Sequence, residues 1–346
     1  MGDKLRIGIV GTGYIAQALA PAMGESPEAE LVAVASRSVG RAEQFITEHG
    51  TGGQGAVKAF GSWREMIAWD GLDAVYVATP TSTREEIAVA AAEAGQHVLA
   101  EKPFDGLESL QRITTACREH GVAFLDATHF VHHPRTAQIK SEAEQRIGEP
   151  LALRTAFFFP NPDRTNIRFD PRLEPTGALG DMAWYCMRAA VEYLPGSFEV
   201  ESLQTSLSRD LETGAVVRVS GSMLFGDGTT TTYDAGYDVG ALVQDLDLLG
   251  TEGVIHLEDF VQDWKQGAGF DHPDHVVGFT QRRALAPPAE FAFVPTPSQR
   301  TAHSLMIDAF ASLARHPDRQ DLQEASIRAS ERTQGLLDAA WRAGGG

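Results

Sequence analysis

The sequence predicts an α/β protein of two domains, in which a doubly wound parallel sheet precedes an α+β domain with an open, mainly antiparallel sheet. From Leu5 to about Ala127, short apolar runs alternate with amphipathic stretches of helical length, the pattern of a parallel sheet buried on both faces. Later β-rich runs are joined by short turns such as Gly226-Asp227-Gly228, which is a hairpin signal. The length of 346 residues suits two ordinary domains, which we place at residues 1–127 and 128–346.

The elements of the first domain follow in order from this alternation. The predicted strands are Arg6–Val10, Leu31–Ala35, Ala74–Ala78, His97–Ala100 and Ala123–Asp126, and the predicted helices are Ile15–Met23, Arg41–Glu48, Glu85–Ala94 and Leu107–Glu119. Turn residues support these bounds, because Gly95 and Gly121 each follow a helical pattern and glycine commonly ends helices in the left-handed conformation.

The second domain begins with helical patterns and continues as a sheet. We predict helices over Pro134–Arg146 and Gly180–Leu194, and strands over Leu151–Phe159, Glu199–Ser208, Ala215–Leu224, Thr229–Tyr237, Leu242–Leu249 and Gly253–Leu257. Two final helices, Thr301–Leu313 and Leu322–Ala343, are assigned to this domain, with packing back onto the first domain as the alternative. A broad sheet without obvious covering helices after Leu194 favours a homodimer or homotetramer formed through that sheet.

Composition excludes several classes of function. With 29 Lys and Arg against 47 Asp and Glu, the net charge of −18 disfavours nucleic acids and anionic membrane surfaces as partners. No segment approaches the roughly 18 apolar residues of a membrane span, and no signal-peptide pattern is present, so we expect a cytoplasmic protein. Cys117 and Cys186 lack the spacing of a zinc site and are expected to be buried thiols. Adjacent His132 and His133 point apart in an extended segment, so no metal is assigned.

A glycine-rich turn follows the first strand. Gly11, Gly13 and Ala16 fit the pattern G-x-G-x-x-G/A between a strand and a helix. In a Rossmann domain the first glycine permits the tight turn, the second lets the backbone approach a pyrophosphate, and the helix N-terminus faces the anion. We therefore predict a dinucleotide site that includes Gly11, Gly13, Tyr14 and Ile15.

The residues after the second strand bear on the choice between NAD and NADP. An NAD site usually offers an acidic residue to the ribose at this point, whereas this chain has Ser36, Arg37 and Ser38, with Arg41 close behind. Hydroxyls and guanidinium groups suit a 2′-phosphate, so the sequence favours NADP, with NAD as the alternative. The segment Thr79-Pro80-Thr81 follows another strand and is expected to line the nicotinamide ribose, or else to form a turn with a helix cap.

The tripeptide Glu101-Lys102-Pro103 ends a further predicted strand. Ligands of open α/β sheets bind outside the carboxyl ends of the strands. Lys102 is therefore either a structural partner of Glu101 or a proton donor to a carbonyl being reduced, and we favour the proton donor. Pro103 makes a cis Lys102–Pro103 bond possible.

In the second domain, a glycine-containing segment leads into a helix on which Asp181, Tyr185 and Arg188 share one face. Such spacing is also typical of an ordinary amphipathic surface. Only a cofactor site opposite this face would give these groups a chemical role.

Several of these motifs together resemble the glucose-fructose oxidoreductase / inositol dehydrogenase / rhizopine catabolism (Gfo/Idh/MocA) family. They are Gly11–Ala16, Ala78-Thr79-Pro80, Glu101-Lys102-Pro103, His133-Pro134 and Gly180-Asp181 followed by Tyr185. The resemblance implies a Rossmann domain, a C-terminal domain with an open antiparallel sheet, a nicotinamide cofactor and sugar, polyol or related carbonyl substrates.

The resemblance also implies roles for single residues. It makes Lys102, Asp181 and Tyr185 the catalytic group, with Tyr185 in place of the histidine of many members, as in the branch that contains glucose-fructose oxidoreductase. Glu101 is added to the cofactor site. Arg168, in a loop similar to one that reaches the cofactor and the substrate, is expected to contact either. Apart from the resemblance, Phe130 is a candidate wall of the substrate pocket, with a place in the core as the alternative. Arg84 and Asp126-Ala127-Thr128 depart from the commoner family pattern.

The resulting hypothesis is an NADP(H)-dependent oxidoreductase that transfers hydride between the nicotinamide and a hydroxyl- or ketone-bearing carbon. Two alternatives stay open: a redox-neutral enzyme that retains its nucleotide, as in glycosidases or internally recycling oxidoreductases, and a non-catalytic NADP-sensing regulator.

Overall fold

The computed structural model describes residues 4–50, 56–264, 272, 274–316 and 318–346. The first sheet contains β1 (Leu5–Val10), β2 (Ala29–Ala35), β3 (Lys58–Phe60), β4 (Ala74–Val77), β5 (His97–Ala100) and β6 (Phe124–Asp126). Its strands are parallel and lie in the order β3-β2-β1-β4-β5-β6. This order is that of the Rossmann fold, in which the reversal beside the first strand opens a crevice for a dinucleotide. The predicted doubly wound sheet is thereby confirmed.

The helices are α1 (Tyr14–Glu25), α2 (Val39–His49), α3 (Trp63–Ile67), α4 (Thr81–Glu93), α5 (Leu107–Glu119), α6 (Pro134–Ile147), α7 (Gly177–Asp181), α8 (Ala183–Tyr193), α9 (Ala302–Arg315) and α10 (Arg319–Ala343). Among the described residues, none of these helices is both long and apolar enough to cross a membrane. The helical segment predicted over Gly180–Leu194 is interrupted, because α7 ends at Asp181 and α8 begins two residues later.

The second sheet contains β7 (Pro150–Phe158), β8 (Val200–Arg209), β9 (Val216–Phe225), β10 (Thr230–Gly236), β11 (Val243–Gly250), β12 (Gly253–Leu257), β13 (Gly278–Arg283) and β14 (Ala292–Pro295). Their order is β14-β13-β12-β11-β7-β10-β9-β8. All neighbouring strands are antiparallel except β7 and β10. This arrangement confirms an α/β protein whose second sheet is mainly antiparallel.

The described residues divide into two compact units. The first extends to His129 and also includes Arg300–Glu331, while the second comprises the described residues from Phe130 to Gln299 and Arg332–Gly346. In the first unit, Ile7 and Ile9 of β1 share a core with Leu19 of α1 and Phe310 of α9, and all four are fully buried. Helix α9 therefore packs on the Rossmann sheet, although it lies far from it in the sequence.

In the second unit, helices α6, α7 and α8 pack against the large sheet. Alternate residues of β7, namely Leu153, Thr155 and Phe157, are buried, whereas Arg154 between them is exposed. This alternation is that of a sheet with one covered face. Both cysteines are buried as expected, and burial raises the pKa of each thiol to about 12.

Candidate active site

The turn after β1 is built around two glycines with different surroundings. Gly11 has a φ of +104°, and a β-carbon there would lie 2.5 Å from the carbonyl oxygen of Ala78. Gly13 precedes α1 with a φ of −82°. Apart from its two chain neighbours, no described residue would have a heavy atom within 4 Å of a β-carbon at this position. The fold thus requires glycine at position 11, while the open space at position 13 suits a pyrophosphate held at the helix N-terminus.

The first turn of α1 separates into an exposed and a packed side. Tyr14 is 53% exposed, whereas Ile15 packs against the core of the first unit. Among the described residues, no side chain caps the start of α1, so its first backbone N–H groups are available to an anion. These features fit the predicted dinucleotide.

The loop after β2 carries uncompensated positive charge. Arg37 and Arg41 are exposed, and within the described part of the chain neither makes an ion pair or a side-chain hydrogen bond. Ser38 caps α2, since its side chain accepts a hydrogen bond from the backbone N–H of Arg41. The Ser36 hydroxyl lies 3.1 Å from that of Thr12 in the glycine turn. In a chain of net charge −18, two unpaired guanidinium groups here favour a phosphate ligand.

The segment after β4 lies against the same glycine turn. Thr79 has a buried hydroxyl without a hydrogen-bond partner among the described residues, and such groups in native structures usually meet a ligand or water. Pro80 precedes α4. Thr81 is buried and accepts a 2.9 Å hydrogen bond from Nη1 of Arg84. Thr79 is therefore the member of this trio best suited to a cofactor.

Arg84 also fixes the loop that carries the lysine. Its Nη1 donates to the carbonyl oxygen of Pro103, and the Arg84 residue is only 7% exposed. The sequence singled out Arg84 only as a departure from the family pattern. Its structural role could not be predicted from the sequence, because no local pattern shows that α4 and the loop after β5 are neighbours.

The tripeptide Glu101-Lys102-Pro103 directly follows β5, and all three residues are buried. The Glu101 backbone N–H donates to Val77 of β4 at 3.1 Å, and its carboxylate accepts a 2.6 Å hydrogen bond from the Tyr76 hydroxyl. The Lys102–Pro103 peptide bond is cis, as the sequence allowed. Lys102 thus extends from a backbone held by β4 and by Arg84.

In the second unit, Asp181 at the end of α7 is the centre of a polar cluster. Its Oδ2 accepts hydrogen bonds from Nε of Arg168 at 2.5 Å and from the Tyr237 hydroxyl at 3.0 Å. The Asp181 charge raises the pKa of Arg168. Burial, and then the same charge, raise the pKa of Tyr237 well above its usual value. Tyr237 is the member of this cluster that sequence reasoning missed, because it lies 56 residues from Asp181.

Tyr185 lies on α8 within a group of aromatic rings. Its ring centroid is 5.3 Å from that of Phe157 and 6.2 Å from that of Phe130. Tyr185 is 8% exposed and Phe130 is 2% exposed. Phe130 therefore packs beside a candidate catalytic residue, while its contact with a substrate stays a prediction.

Other predicted features receive structural explanations. Arg188 is not on a solvated face, because it is 3% exposed and pairs with Glu192. His133 caps α6, since its Nδ1 accepts a hydrogen bond from the Arg135 backbone N–H. Among the described residues, no group of three or more His, Cys, Asp or Glu side chains could hold a metal ion.

The predicted site residues thus form two groups. The glycine turn, Ser36–Ser38, Arg41, Thr79–Thr81, Glu101 and Lys102 belong to the first unit, whereas Phe130, Arg168, Asp181 and Tyr185 belong to the second. In the first group, Ser36 contacts the glycine turn through Thr12 and Ser38 accepts a hydrogen bond from the Arg41 backbone N–H. In the second group, Arg168 contacts Asp181 and Phe130 contacts Tyr185.

The chain is similar to several known oxidoreductases. Among curated proteins, D-xylose 1-dehydrogenase (NADP(+)) 2 of Haloferax volcanii is 30% identical over 68% of this chain and 70% of that protein. The scyllo-inositol 2-dehydrogenase (NADP(+)) IolU of Bacillus subtilis is 29% identical over 62% and 66%. A crystal structure of KijD10, a 3-ketoreductase from Actinomadura kijaniata, in complex with TDP-benzene and NADP, superposes with a TM-score of 0.79 at 25% identity and covers 99% of this chain and 98% of that one.

Family comparison gives the assignment directly. Residues 5–127 match the family described as an oxidoreductase family with an NAD-binding Rossmann fold. Residues 140–256 match the C-terminal domain of the same family. The chain belongs to the Gfo/Idh/MocA family of oxidoreductases.

Proposed function

We propose that this protein is an NADP(H)-dependent oxidoreductase that transfers hydride between the nicotinamide and a hydroxyl- or ketone-bearing carbon of a sugar, polyol or related small carbonyl compound. The preference for NADP over NAD rests on two exposed arginines after β2, Arg37 and Arg41, which form no ion pair within the described part of the chain. The names of the xylose and inositol dehydrogenases specify NADP(+), and the KijD10 structure contains NADP.

Bound nicotinamide supplies or accepts the hydride at its C4 position, and the chain supplies the remaining chemistry. The pyrophosphate is held by Gly11, Gly13, Tyr14 and Ile15. The ribose is lined by Thr79, Pro80 and Thr81. Glu101 belongs to the same cofactor site and stabilises the loop that carries Lys102. The hydroxyls of Ser36 and Ser38 bind the 2′-phosphate together with Arg37 and Arg41. Because the protein as a whole is negatively charged, the negative charge of this phosphate must be neutralised by nearby basic side chains.

Lys102 exchanges the proton with the reacting oxygen of the substrate. It is 8% exposed and lies at the carboxyl edge of the parallel sheet, where ligands of this fold bind. A positioned proton donor of this kind contributes about 10²–10⁴-fold to rate. Tyr185 hydrogen-bonds the same substrate oxygen or shares the proton transfer.

The second unit also supplies substrate contacts. Asp181 accepts a hydrogen bond from a neighbouring substrate hydroxyl. Within the described residues, Arg168 uses only Nε toward Asp181, so its Nη1 and Nη2 are assigned to the substrate or the cofactor. Phe130 contributes apolar surface beside Tyr185.

Fluorescence titration of the purified protein with NADPH and NADH tests the cofactor assignment. NADPH should bind more tightly, and Arg37→Ala should remove most of that preference because it deletes a charge facing the 2′-phosphate. Arg112→Ala is the matched control, since Arg112 is an exposed arginine of α5 paired with Glu85. Equal binding of both nucleotides by the wild type would contradict the assignment to NADP. A nucleotide that stays bound through turnover would indicate the redox-neutral alternative.

We also propose that a second copy of the chain covers the outer face of the large sheet. Leu249 and Val254 are directly paired on neighbouring strands, are half-buried and belong to this face. Leu249→Arg should shift the mass measured by light scattering toward that of one chain. A wild type that has the mass of a single chain would refute the interface. The proposed cytoplasmic location can be tested by cell fractionation.

A further inference from the structure

We propose that Arg168 and Tyr237 are positioning residues that hold Asp181 as an ionised carboxylate, so that Asp181 binds a substrate hydroxyl without exchanging a proton itself. The inference rests on the proposed function, because it concerns how one of its substrate-binding residues operates. The three candidate catalytic residues then have different roles. Lys102 and Tyr185 transfer the proton, and Asp181 provides a fixed negative charge.

The geometry of the cluster is specific. Both donors reach the same atom, Oδ2 of Asp181, with Nε of Arg168 at 2.5 Å and the Tyr237 hydroxyl at 3.0 Å. The side chain of Asp181 is 13% exposed, so water screens these contacts little. An ionised carboxylate has about four acceptor positions, and Arg168 and Tyr237 use two of them. A carboxylate can accept hydrogen bonds from two protein donors and from a substrate hydroxyl at the same time.

Each donor is held independently of Asp181. Arg168 belongs to a short 3₁₀ turn whose start is capped by Asn166, which accepts a 3.1 Å hydrogen bond from the Arg168 backbone N–H. Tyr237 directly follows β10; its backbone N–H donates to Val217 and its carbonyl accepts from Asn161. Donors fixed by their own backbones keep a side chain in one orientation before a ligand arrives.

Aromatic packing further limits the movement of Tyr237. Its ring centroid is 6.0 Å from that of Phe169, which follows Arg168 in the chain. Tyr237 is 2% exposed and Phe169 is 6% exposed. The tyrosine hydroxyl therefore has little freedom to leave the carboxylate.

Other charged groups lie near this cluster or on the elements that pack against it. Glu174 is a second carboxylate, and its charge adds to the rise in the pKa of both Arg168 and Tyr237. From the strands against which α7 packs, Arg218 and Asp234 are exposed, and their register places them on the outer face of the sheet. On α8, Tyr185 is the nearest titratable side chain in sequence, and Arg188 pairs with Glu192.

These contacts determine the chemistry open to Asp181. An opposite charge within hydrogen-bond distance lowers the proton affinity of a carboxylate, and a donor hydroxyl lowers it further. A carboxylate held in this way is a weak base near neutral pH. It nevertheless accepts strong, charge-assisted hydrogen bonds from neutral hydroxyl groups.

The pH dependence of kcat in variants of the full-length protein tests the inference. Arg168→Met should displace the acidic limb of the profile to higher pH by about 1–3 pH units, because the carboxylate loses its cation. Arg168→Lys should restore most of the wild-type profile. Tyr237→Phe should move the limb in the same direction by a smaller amount, since only one neutral donor is lost.

Matched controls separate positioning from stability. Arg172→Met removes an arginine of the same loop that pairs with Asp170. Tyr233→Phe removes a buried hydroxyl of β10 that lies 2.7 Å from the Thr205 hydroxyl. Either control can change the thermal unfolding temperature, but neither should displace the pH profile.

Two results would overturn the inference. In the first, Arg168→Met and Tyr237→Phe change the unfolding temperature, but both variants have the same pH profile as the wild type. In the second, the acidic limb moves to lower pH. Failure of the proposed function gives a different result: Asp181→Asn would retain full turnover, or the wild type would show no NADPH-dependent reduction of any sugar-like ketone.

Discussion

A β-carbon added at Gly11 would lie 2.5 Å from the carbonyl oxygen of Ala78. The two residues meet where β1 and β4 end side by side, and Gly11 adopts a φ of +104° that side chains rarely tolerate. Gly13 has neither constraint. Two glycines of one motif therefore serve different purposes, Gly11 for the fold and Gly13 for the ligand.

Alanine at each glycine should separate these purposes. Gly11→Ala is expected to lower the free energy of unfolding by about 2 kcal/mol or more, through backbone strain and overlap with Ala78. Gly13→Ala should cost less than about 1 kcal/mol, yet weaken NADPH binding at least about tenfold, since a 1.4 kcal/mol clash with the pyrophosphate suffices. Denaturant unfolding and fluorescence titration measure the two effects. Unchanged NADPH binding by Gly13→Ala would contradict this division.

The hydrogen bond between Tyr76 and Glu101 should support both stability and activity. Tyr76→Phe leaves a buried carboxylate without one of its donors, which costs about 1–3 kcal/mol of unfolding free energy. Because Glu101 adjoins Lys102, kcat should also fall, while NADPH binding changes little. Tyr233→Phe, which removes a buried hydroxyl in the second unit, is the control. A fall in kcat of the same size in both variants would show that loss of stability alone explains the effect.

Tyr185→Phe removes the hydroxyl while keeping the ring contacts with Phe130 and Phe157. The affinity for NADPH should therefore stay close to that of the wild type. We expect kcat to fall by roughly tenfold or more, since a group that donates to the reacting oxygen is lost. Steady-state kinetics with an active substrate provide the measurement, and an unchanged kcat would exclude a chemical role for the hydroxyl.

Burial, with a further contribution from the charge of Arg319, lowers the pKa of His97 to about 4 from its ordinary value of 6.5. Its Nδ1 accepts a 2.9 Å hydrogen bond from the Ala123 backbone N–H, which requires the neutral ring at that atom. The unfolded chain takes up a proton as the pH falls below 6.5, whereas the folded chain does not until about pH 4. Stability from His97 is thus present above pH 6.5 and is lost progressively down to about pH 4.

Protonation of His97 should lower the free energy of unfolding by on the order of 2 kcal/mol. The measurement is the difference in unfolding free energy between pH 7 and pH 4.5. His97→Asn keeps an acceptor for the Ala123 N–H but has no titrating group, and should reduce that difference. His120→Asn, at an exposed histidine of the same unit, serves as the control. Equal acid sensitivity of all three proteins would refute the role of His97.

Most of the predictions about the first unit came from patterns of residues that are close together in the sequence. The spacing of Gly11 and Gly13, and the position of Lys102 behind a strand, follow from local patterns that the fold preserves. The strands β3 and β14 were missed because segments of three and four residues carry too little periodicity. The six residues of β13, GFTQRR, are mostly polar and give no strand pattern. The parallel pairing of β7 with β10 depends on contacts between distant segments.

The second unit shows the same limit at the level of side chains. Helical spacing placed Arg188 on a polar face, but its charge is buried against Glu192, a pairing that periodicity does not distinguish from solvation. Helical spacing also brought Asp181 and Tyr185 to one face, and their catalytic roles were assigned through the family resemblance. The contact of Asp181 with Tyr237 required the sheet to bring residues 56 positions apart together.

The most direct test of the central claim compares wild type and Lys102→Met in NADPH-dependent reduction of a panel of sugar-derived ketones. With NADPH deuterated at C4, the wild type should place deuterium on the product carbon that bears the new hydroxyl. Lys102→Met should bind NADPH within a few-fold of the wild type and reduce the same ketone about 10²–10⁴ times more slowly. Full turnover by Lys102→Met, or product without deuterium, would contradict hydride transfer with Lys102 as the proton donor.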